Sequence, residues 1–102
     1  LITGRVLDAL GAGWVTNVSR GPVIDESALI ERLRDGRLLG AGLDVTEQEP
    51  LPADSPLWDL PNVVITPHMA GLTPRCGERL AKLLSHNLRA FQGAGAWKNR
   101  IC

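Results

Sequence analysis

Three polar residues of this 102-residue chain are of types that move protons or grip anions: Arg20, Glu49 and His68. Arginine presents a planar, permanently charged fork that suits a carboxylate. Histidine changes charge near neutrality and is a common general acid or base. A carboxylate within reach of a histidine ring would orient it. Taken singly, each has an ordinary reading too: a solvated loop cation, a solvent-facing glutamate in an acidic loop, a structural loop histidine. What groups them is position. Arg20 follows a first short apolar run, Glu49 comes five residues after Asp44 at the end of a second, and His68 follows a third. In a parallel α/β sheet, ligands bind outside the carboxyl ends of the strands. Three such strands would deliver these residues to one edge. Asp44 is either a member of that group or the cap of a turn.

The elements that must position them follow from pattern. Residues 3–10 read as the end of a short helix, with Val6, Leu7 and Leu10 on one face and Gly11 and Gly13 to stop it. Trp14 to Val18 is apolar and β-branched and reads as a buried strand, broken by Ser19-Arg20-Gly21-Pro22. Asp25 is the expected N-cap of a second helix, with Ala28, Leu29, Ile30 and Leu33 as its apolar face and Gly36 at its C-terminus. Leu38 to Val45 is the second strand, in which Gly40 and Gly42 suggest close backbone approach. Residues 46–61 are rich in proline and acid and form a loop with one turn near Leu57-Trp58. Asn62 to Thr66 is the third strand, ended by Pro67. Thr73 and Pro74 suit the start of a long helix, which carries Leu80, Leu83, Leu84, Leu88 and Phe91 on one stripe and ends at Gly93. Glu78 and Lys82 form an i,i+4 pair on it. Gly77 has no evident reason there, since glycine costs about 1 kcal/mol in a helix. His86 reads as a surface or boundary residue without an evident partner, Cys76 and Cys102 as inert, and residues 94–102 as a tail.

This order is α/β: half of a doubly wound parallel sheet, with a long C-terminal helix. Three strands are a thin sheet, and one face or edge should lie uncovered. Eleven basic and eleven acidic side chains give zero net charge, so neither nucleic acid nor an anionic membrane is expected as a partner. No apolar run approaches the ~20 residues of a membrane span. Two cysteines outside any paired spacing imply no metal site and no disulfide framework, and a reduced, cytoplasmic setting is expected. The chain begins at Leu1 and its one methionine is Met69, from which a piece of a longer protein is expected.

Three long motifs carry a resemblance. The first is Asn17-Val18-Ser19-Arg20-Gly21 with Asp25-Glu26 and Ala28-Leu29. The second is Gly40-Ala41-Gly42-Leu43-Asp44-Val45 followed by Glu49-Pro50-Leu51-Pro52. The third is Pro56-Leu57, then Pro61-Asn62-Val63, Ile65-Thr66-Pro67-His68 and Ala70-Gly71. In this order and spacing the chain resembles the D-isomer-specific 2-hydroxyacid dehydrogenases, over roughly residues 3–92.

The resemblance implies two Rossmann-like domains with the active site in the cleft between them. Residues 1–72 would be the C-terminal portion of the NAD-binding domain, and 73–102 a terminal helix and tail returning towards a substrate domain. It implies that Arg20 binds the carboxylate and carbonyl of a 2-oxo acid, that His68 is the acid/base and that Glu49 is its partner. Val18, Ser19, Arg20, Asp44, His68, Ala70 and Gly71 would face the nicotinamide half of NAD or NADP. Hydride transfer builds negative charge on the substrate oxygen, and a protonated histidine can neutralise it. The whole protein would be a homodimer acting on a small 2-oxo or 2-hydroxy acid. The chain contains no G-x-G-x-x-G turn and no residue to read the ribose 2′ position, so alone it should be inactive. An NADH-binding corepressor of the same architecture, or a non-functional partial reading frame, are the alternative readings.

Overall fold

The computed structural model describes residues 1–100. They divide into two compact units, Leu1–Ala70 and the segment from Gly71 onward. The first unit begins with helix α1 (Gly4–Ala9), followed by strand β1 (Trp14–Asn17) and a 3₁₀ turn at Gly21–Val23. Helix α2 (Glu26–Arg34), strand β2 (Gly40–Leu43), a second 3₁₀ turn at Pro56–Asp59 and strand β3 (Val63–Ile65) complete it. The strands form one parallel sheet in the order β1-β2-β3. Every element expected from the pattern is present, with strands one to four residues shorter than expected.

Local chemistry accounts for the boundaries. Asp25 caps α2 through a 2.9 Å bond from the Ala28 N–H, and Gly36 takes a φ of +77° just beyond its end. Gly11, at φ +58°, turns the chain out of α1. Ile2 pairs with Ile24 in an isolated parallel bridge, which ties the start of α1 to the approach to α2. Arg32, on α2, closes the same corner. Its Nε and Nη2 meet the two carboxylate oxygens of Asp8 at 2.7 and 2.8 Å, and its Nη1 donates to the Ala28 carbonyl. This fork-on-fork geometry fixes orientation as well as distance.

Strand alternation divides the sheet into two unlike faces. Val15, Ala41 and Leu43 belong to the core, together with Leu7, Ile24, Leu29, Leu33, Leu38 and Leu57. The opposite face carries Trp14, 67% exposed, and Val64, 65% exposed. One face of the sheet is therefore open, as expected of three strands. The expected apolar stripe on α1 also needs correction. Only Leu7 is buried, and Val6 and Leu10 are exposed, because a helix of six residues turns a single position fully inward.

In the second unit, helix α3 runs Cys76–Phe91. Thr73 and Pro74 do not start it. They belong to a preceding turn, in which the Thr73 carbonyl accepts from the Cys76 N–H at 2.9 Å. Leu80, Leu84, Leu88 and Phe91 of the expected stripe are exposed, and Ala90 is its buried residue. The tail is more ordered than its composition suggested. Asn87 brackets Lys98 with two bonds to its backbone, and Trp97 meets Phe91 edge-on with ring centres 6.4 Å apart. His86 does have a partner, the Ala96 carbonyl at 2.8 Å. Nothing in the structure calls for glycine at position 77. Cys76 is a free, exposed thiol, and Cys102 lies outside the described residues. No helix of the described residues is long and apolar enough to cross a membrane.

The two glycines of β2 are not equivalent. A Cβ on Gly40 would lie 2.4 Å from the Trp14 ring and 2.7 Å from the Asn62 carbonyl oxygen, whereas one on Gly42 would meet nothing nearer than 3.7 Å. Gly40→Ala is expected to destabilise the fold by about 1–3 kcal/mol, as overpacking does, and Gly42→Ala to cost far less. Urea midpoints of the two variants check this; equal losses would contradict the packing described.

Candidate active site

The carboxyl ends of β1, β2 and β3 lie side by side, and the three following loops are cross-tied. Gly21 makes the first tie. A Cβ there would fall 1.8 Å from the Thr46 carbonyl oxygen, so the loop after β1 lies directly on the loop after β2. Glu26, in the first turn of α2, accepts a 2.8 Å bond from the Glu47 N–H and fixes the same pair of loops.

Asp44 makes the second tie. Its side chain is buried, and it accepts from the Thr66 hydroxyl, from the Met69 N–H at 2.9 Å and from the Ala70 N–H at 2.8 Å. Its backbone carbonyl receives the His68 N–H at 2.9 Å. The Thr66 hydroxyl foremost, then the two N–H donors, hold the Asp44 carboxyl below the usual aspartate range. Asp44 is thus the brace of the turn that carries His68. His68 itself has a φ of +51°, a left-handed conformation that non-glycine residues seldom adopt.

Glu49 and His68 form the polar pair of the site. Glu49 Oε2 stands 2.7 Å from His68 Nδ1, and Glu49 Oε1 accepts from the Thr46 N–H at 3.2 Å. The His68 ring first, then the Thr46 N–H and the nearby charge of Arg20, hold the Glu49 carboxyl below the usual glutamate range. Among the described residues, His68 Nε2 has no hydrogen-bond partner. Both side chains open onto a cleft of about 560 Å³ whose walls include Asp44, Pro50, Leu51, Trp58 and Pro67.

Of the residues expected at the site, Asp44, Glu49 and His68 share this cleft. Arg20 does not line it. Its guanidinium turns to the Ser19 carbonyl at 2.7 Å, although its charge is felt at Glu49. Val18 and Ser19 are exposed beside it. Ala70 is held by Asp44, and Gly71 opens the second unit. Two residues of the site are not evident from sequence. Thr66 bonds Asp44, and Asn17, buried at the end of β1, organises the Ser19-Arg20 turn. An asparagine ending an apolar strand before Ser-Arg-Gly is the signal that points to it.

Residues 1–70 match the family model of the D-isomer specific 2-hydroxyacid dehydrogenase NAD binding domain, and the chain belongs to that family. A glyoxylate reductase of Korarchaeum cryptofilum is 47% identical over 78 residues, which are 76% of this chain and 24% of that protein. A glyoxylate/hydroxypyruvate reductase B of Citrobacter koseri is 53% identical over 78 residues, with the same two coverages of 76% and 24%. The crystal structure of a D-isomer specific 2-hydroxyacid dehydrogenase from Xanthobacter autotrophicus Py2, in complex with NADPH and MES, superposes with a TM-score of 0.87 at 40% identity. That match covers 97% of this chain and 40% of the other. The chain therefore spans about a quarter of the length of the curated relatives it matches, 24% in both cases above. The fold is Rossmann-like α/β, and the matched domain is one that binds NAD.

The lowered carboxylates predict a pH dependence. Asp8 and Asp35, beside Arg32 and Arg37 respectively, are also held below their ordinary values. With Asp44 and Glu49, four groups thus bind protons less readily folded than unfolded. Their contribution to stability is complete above the unfolded carboxylate range, about pH 4.5, and is lost as pH falls through the lower folded values. Urea midpoints of the chain are expected to be level down to about pH 5 and to fall below it, less steeply in Glu49→Gln. A midpoint that rises on acidification would refute this.

Proposed function

We propose that this chain contributes the proton-transfer and carboxylate-binding residues of an NAD(P)H-dependent oxidoreductase acting on small 2-oxo acids of the glyoxylate or hydroxypyruvate kind. The single observation that carries the reading is the 2.7 Å Glu49–His68 contact. It spends Nδ1 on the carboxylate and leaves Nε2 towards the cleft as the atom that gives or takes a proton. The names of the relatives support the substrate class.

In this reading Glu49 fixes the ring, as a carboxylate behind a histidine does in other acid/base pairs. His68 Nε2 protonates the substrate oxygen in reduction and receives the proton in oxidation. Arg20 offers its fork to the substrate carboxylate; among the described residues its guanidinium makes one bond, to Ser19, which leaves donors free. A nicotinamide cofactor, when bound, supplies the hydride. The residues present fit the nicotinamide end of such a group. Among the described residues, Asp44 Oδ2 accepts one bond, from Ala70, and so keeps a position for an amide donor. Val18 adds exposed apolar surface, and Ser19, Ala70 and Gly71 belong to the flanking turns. Homodimer formation is part of the proposal and rests on family membership alone.

Two measurements test it. In a full-length protein bearing this sequence, His68→Gln is expected to lower kcat by about 10²–10⁴-fold, the usual worth of a general acid, with NADH affinity little changed. Unaltered turnover would remove His68 from the role. The purified 102-residue chain alone is expected to oxidise no NADH with glyoxylate, hydroxypyruvate or pyruvate; steady turnover would show that the chain needs no further cofactor-binding residues.

A further inference from the structure

Arg20 stands on an exposed turn, yet a residue that binds a carboxylate must be held to a fraction of an ångström. No carboxylate holds its guanidinium: among the described residues Arg20 has no ion pair. The turn itself is held by the side chain of Asn17. Asn17 Nδ2 donates to the Arg20 carbonyl at 2.9 Å. Asn17 Oδ1 accepts from the Ser19 N–H at 3.1 Å and from the Ser19 hydroxyl at 2.9 Å. One amide thus grips the peptide groups at both ends of the Ser19-Arg20 pair.

The arrangement is not ordinary strand packing. Asn17 is 5% exposed on the face of β1 that otherwise buries Val15, where an apolar residue would pack at no polar cost. Its backbone is spoken for as well, since its carbonyl receives the Asp44 N–H at 2.9 Å at the end of the β1–β2 ladder. The side chain is therefore anchored by the sheet at its root, and its amide tip sets the turn. Arg20 Nη1 bonds the Ser19 carbonyl, the peptide that Asn17 leaves free between its two grips. Beyond Arg20, Gly21 presses on Thr46, so the turn is fixed from the other side too.

We infer that Asn17 is a positioning residue for substrate recognition, acting through Arg20 by holding the Ser19-Arg20 turn. The inference rests on the carboxylate-binding role proposed for Arg20. It assigns Asn17 no contact with substrate or cofactor.

A double-mutant cycle in a full-length protein bearing this sequence tests it, reading KM for glyoxylate, kcat and NADH affinity by fluorescence. Asn17→Asp keeps the shape and the acceptor but puts a carboxylate oxygen against the Arg20 carbonyl. It is expected to raise KM for glyoxylate about tenfold or more, up to the ~10²-fold that a displaced group can cost, with NADH affinity unchanged. In an Arg20→Gln background the same change is expected to add less than about twofold, because the residue it acts through is gone. An equal rise in both backgrounds, or a parallel loss of NADH affinity, would mean Asn17 matters only to the fold and overturns the inference. No effect of Arg20→Gln itself on KM would overturn the role of Arg20 and the inference with it. Where Asn17→Asp does not fold, Asn17→Ser, smaller and still able to donate and accept, runs the same cycle: a rise in KM confined to the Arg20 background supports the inference, and an equal rise in both overturns it.

Discussion

The carboxylate of Asp44 meets three donors, the Thr66 hydroxyl and the N–H groups of Met69 and Ala70, while its own carbonyl receives the N–H of His68. Its N–H donates to the Asn17 carbonyl. One residue at the tip of the middle strand is therefore bonded to the end of β1 and to the turn after β3. A buried carboxylate is tolerable only when its lone pairs are answered, so the turn cannot swing away without stranding the charge. That constraint explains how His68 is kept at positive φ, a conformation costing about 1–2 kcal/mol for an L-residue. The surrounding bonds over-determine it, as is usual where a strained residue persists.

The other two residues of the site depend on the same principle of answered polar groups, at lower stakes. Glu49 is fixed by the Thr46 N–H on one oxygen and by His68 on the other. Arg20 is fixed through its backbone, by Asn17 on one side and the Gly21–Thr46 contact on the other. The difference is physical. The Glu49–His68 pair is held by bonds within the chain, whereas the guanidinium, among the described residues, bonds Ser19 alone. Under the proposed function, the site is fixed where a proton would be relayed and leaves its anion-binding group open.

Much of this is legible in the sequence. Asp25, Gly36 and the apolar positions of α2 announce that helix because capping and periodicity are local. That the loops carrying Arg20, Glu49 and His68 leave the sheet at one edge follows from parallel order alone, since strands that run the same way end at the same edge; that the Arg20 side chain stays out of the cleft of the other two does not. What escapes is what depends on a distant partner. Asn17 reads as a strand residue until the turn that it grips is seen, and Asp44 reads as a cap or a ligand contact rather than as the brace of a turn more than twenty residues on. That one face of so thin a sheet lies open is legible too, but which residues it exposes, Trp14 and Val64, depends on strand register. The start of α3 is misread because Thr73-Pro74 has the composition of a helix start but is used in a turn.

The electrostatics of the sheet's own helices bound the share of cofactor binding that this chain can supply. A pyrophosphate is held by free N–H groups at a helix N-terminus. In the first unit the one helix that follows a strand of the sheet is α2, and its N-terminus is already occupied. The Asp25 carboxylate takes the Ala28 N–H, and Glu26 adds a second negative charge in the first turn. These carboxylates favour the helix dipole and repel a phosphate for the same reason. Under the proposed function, the loop ends of β1 to β3 would meet the uncharged amide end of a nicotinamide nucleotide and a small carboxylate substrate rather than the nucleotide's phosphates. The phosphates would be expected at another helix N-terminus with unpartnered N–H groups, and a G-x-G-x-x-G turn of the kind that presents one is not among the 102 residues of this sequence.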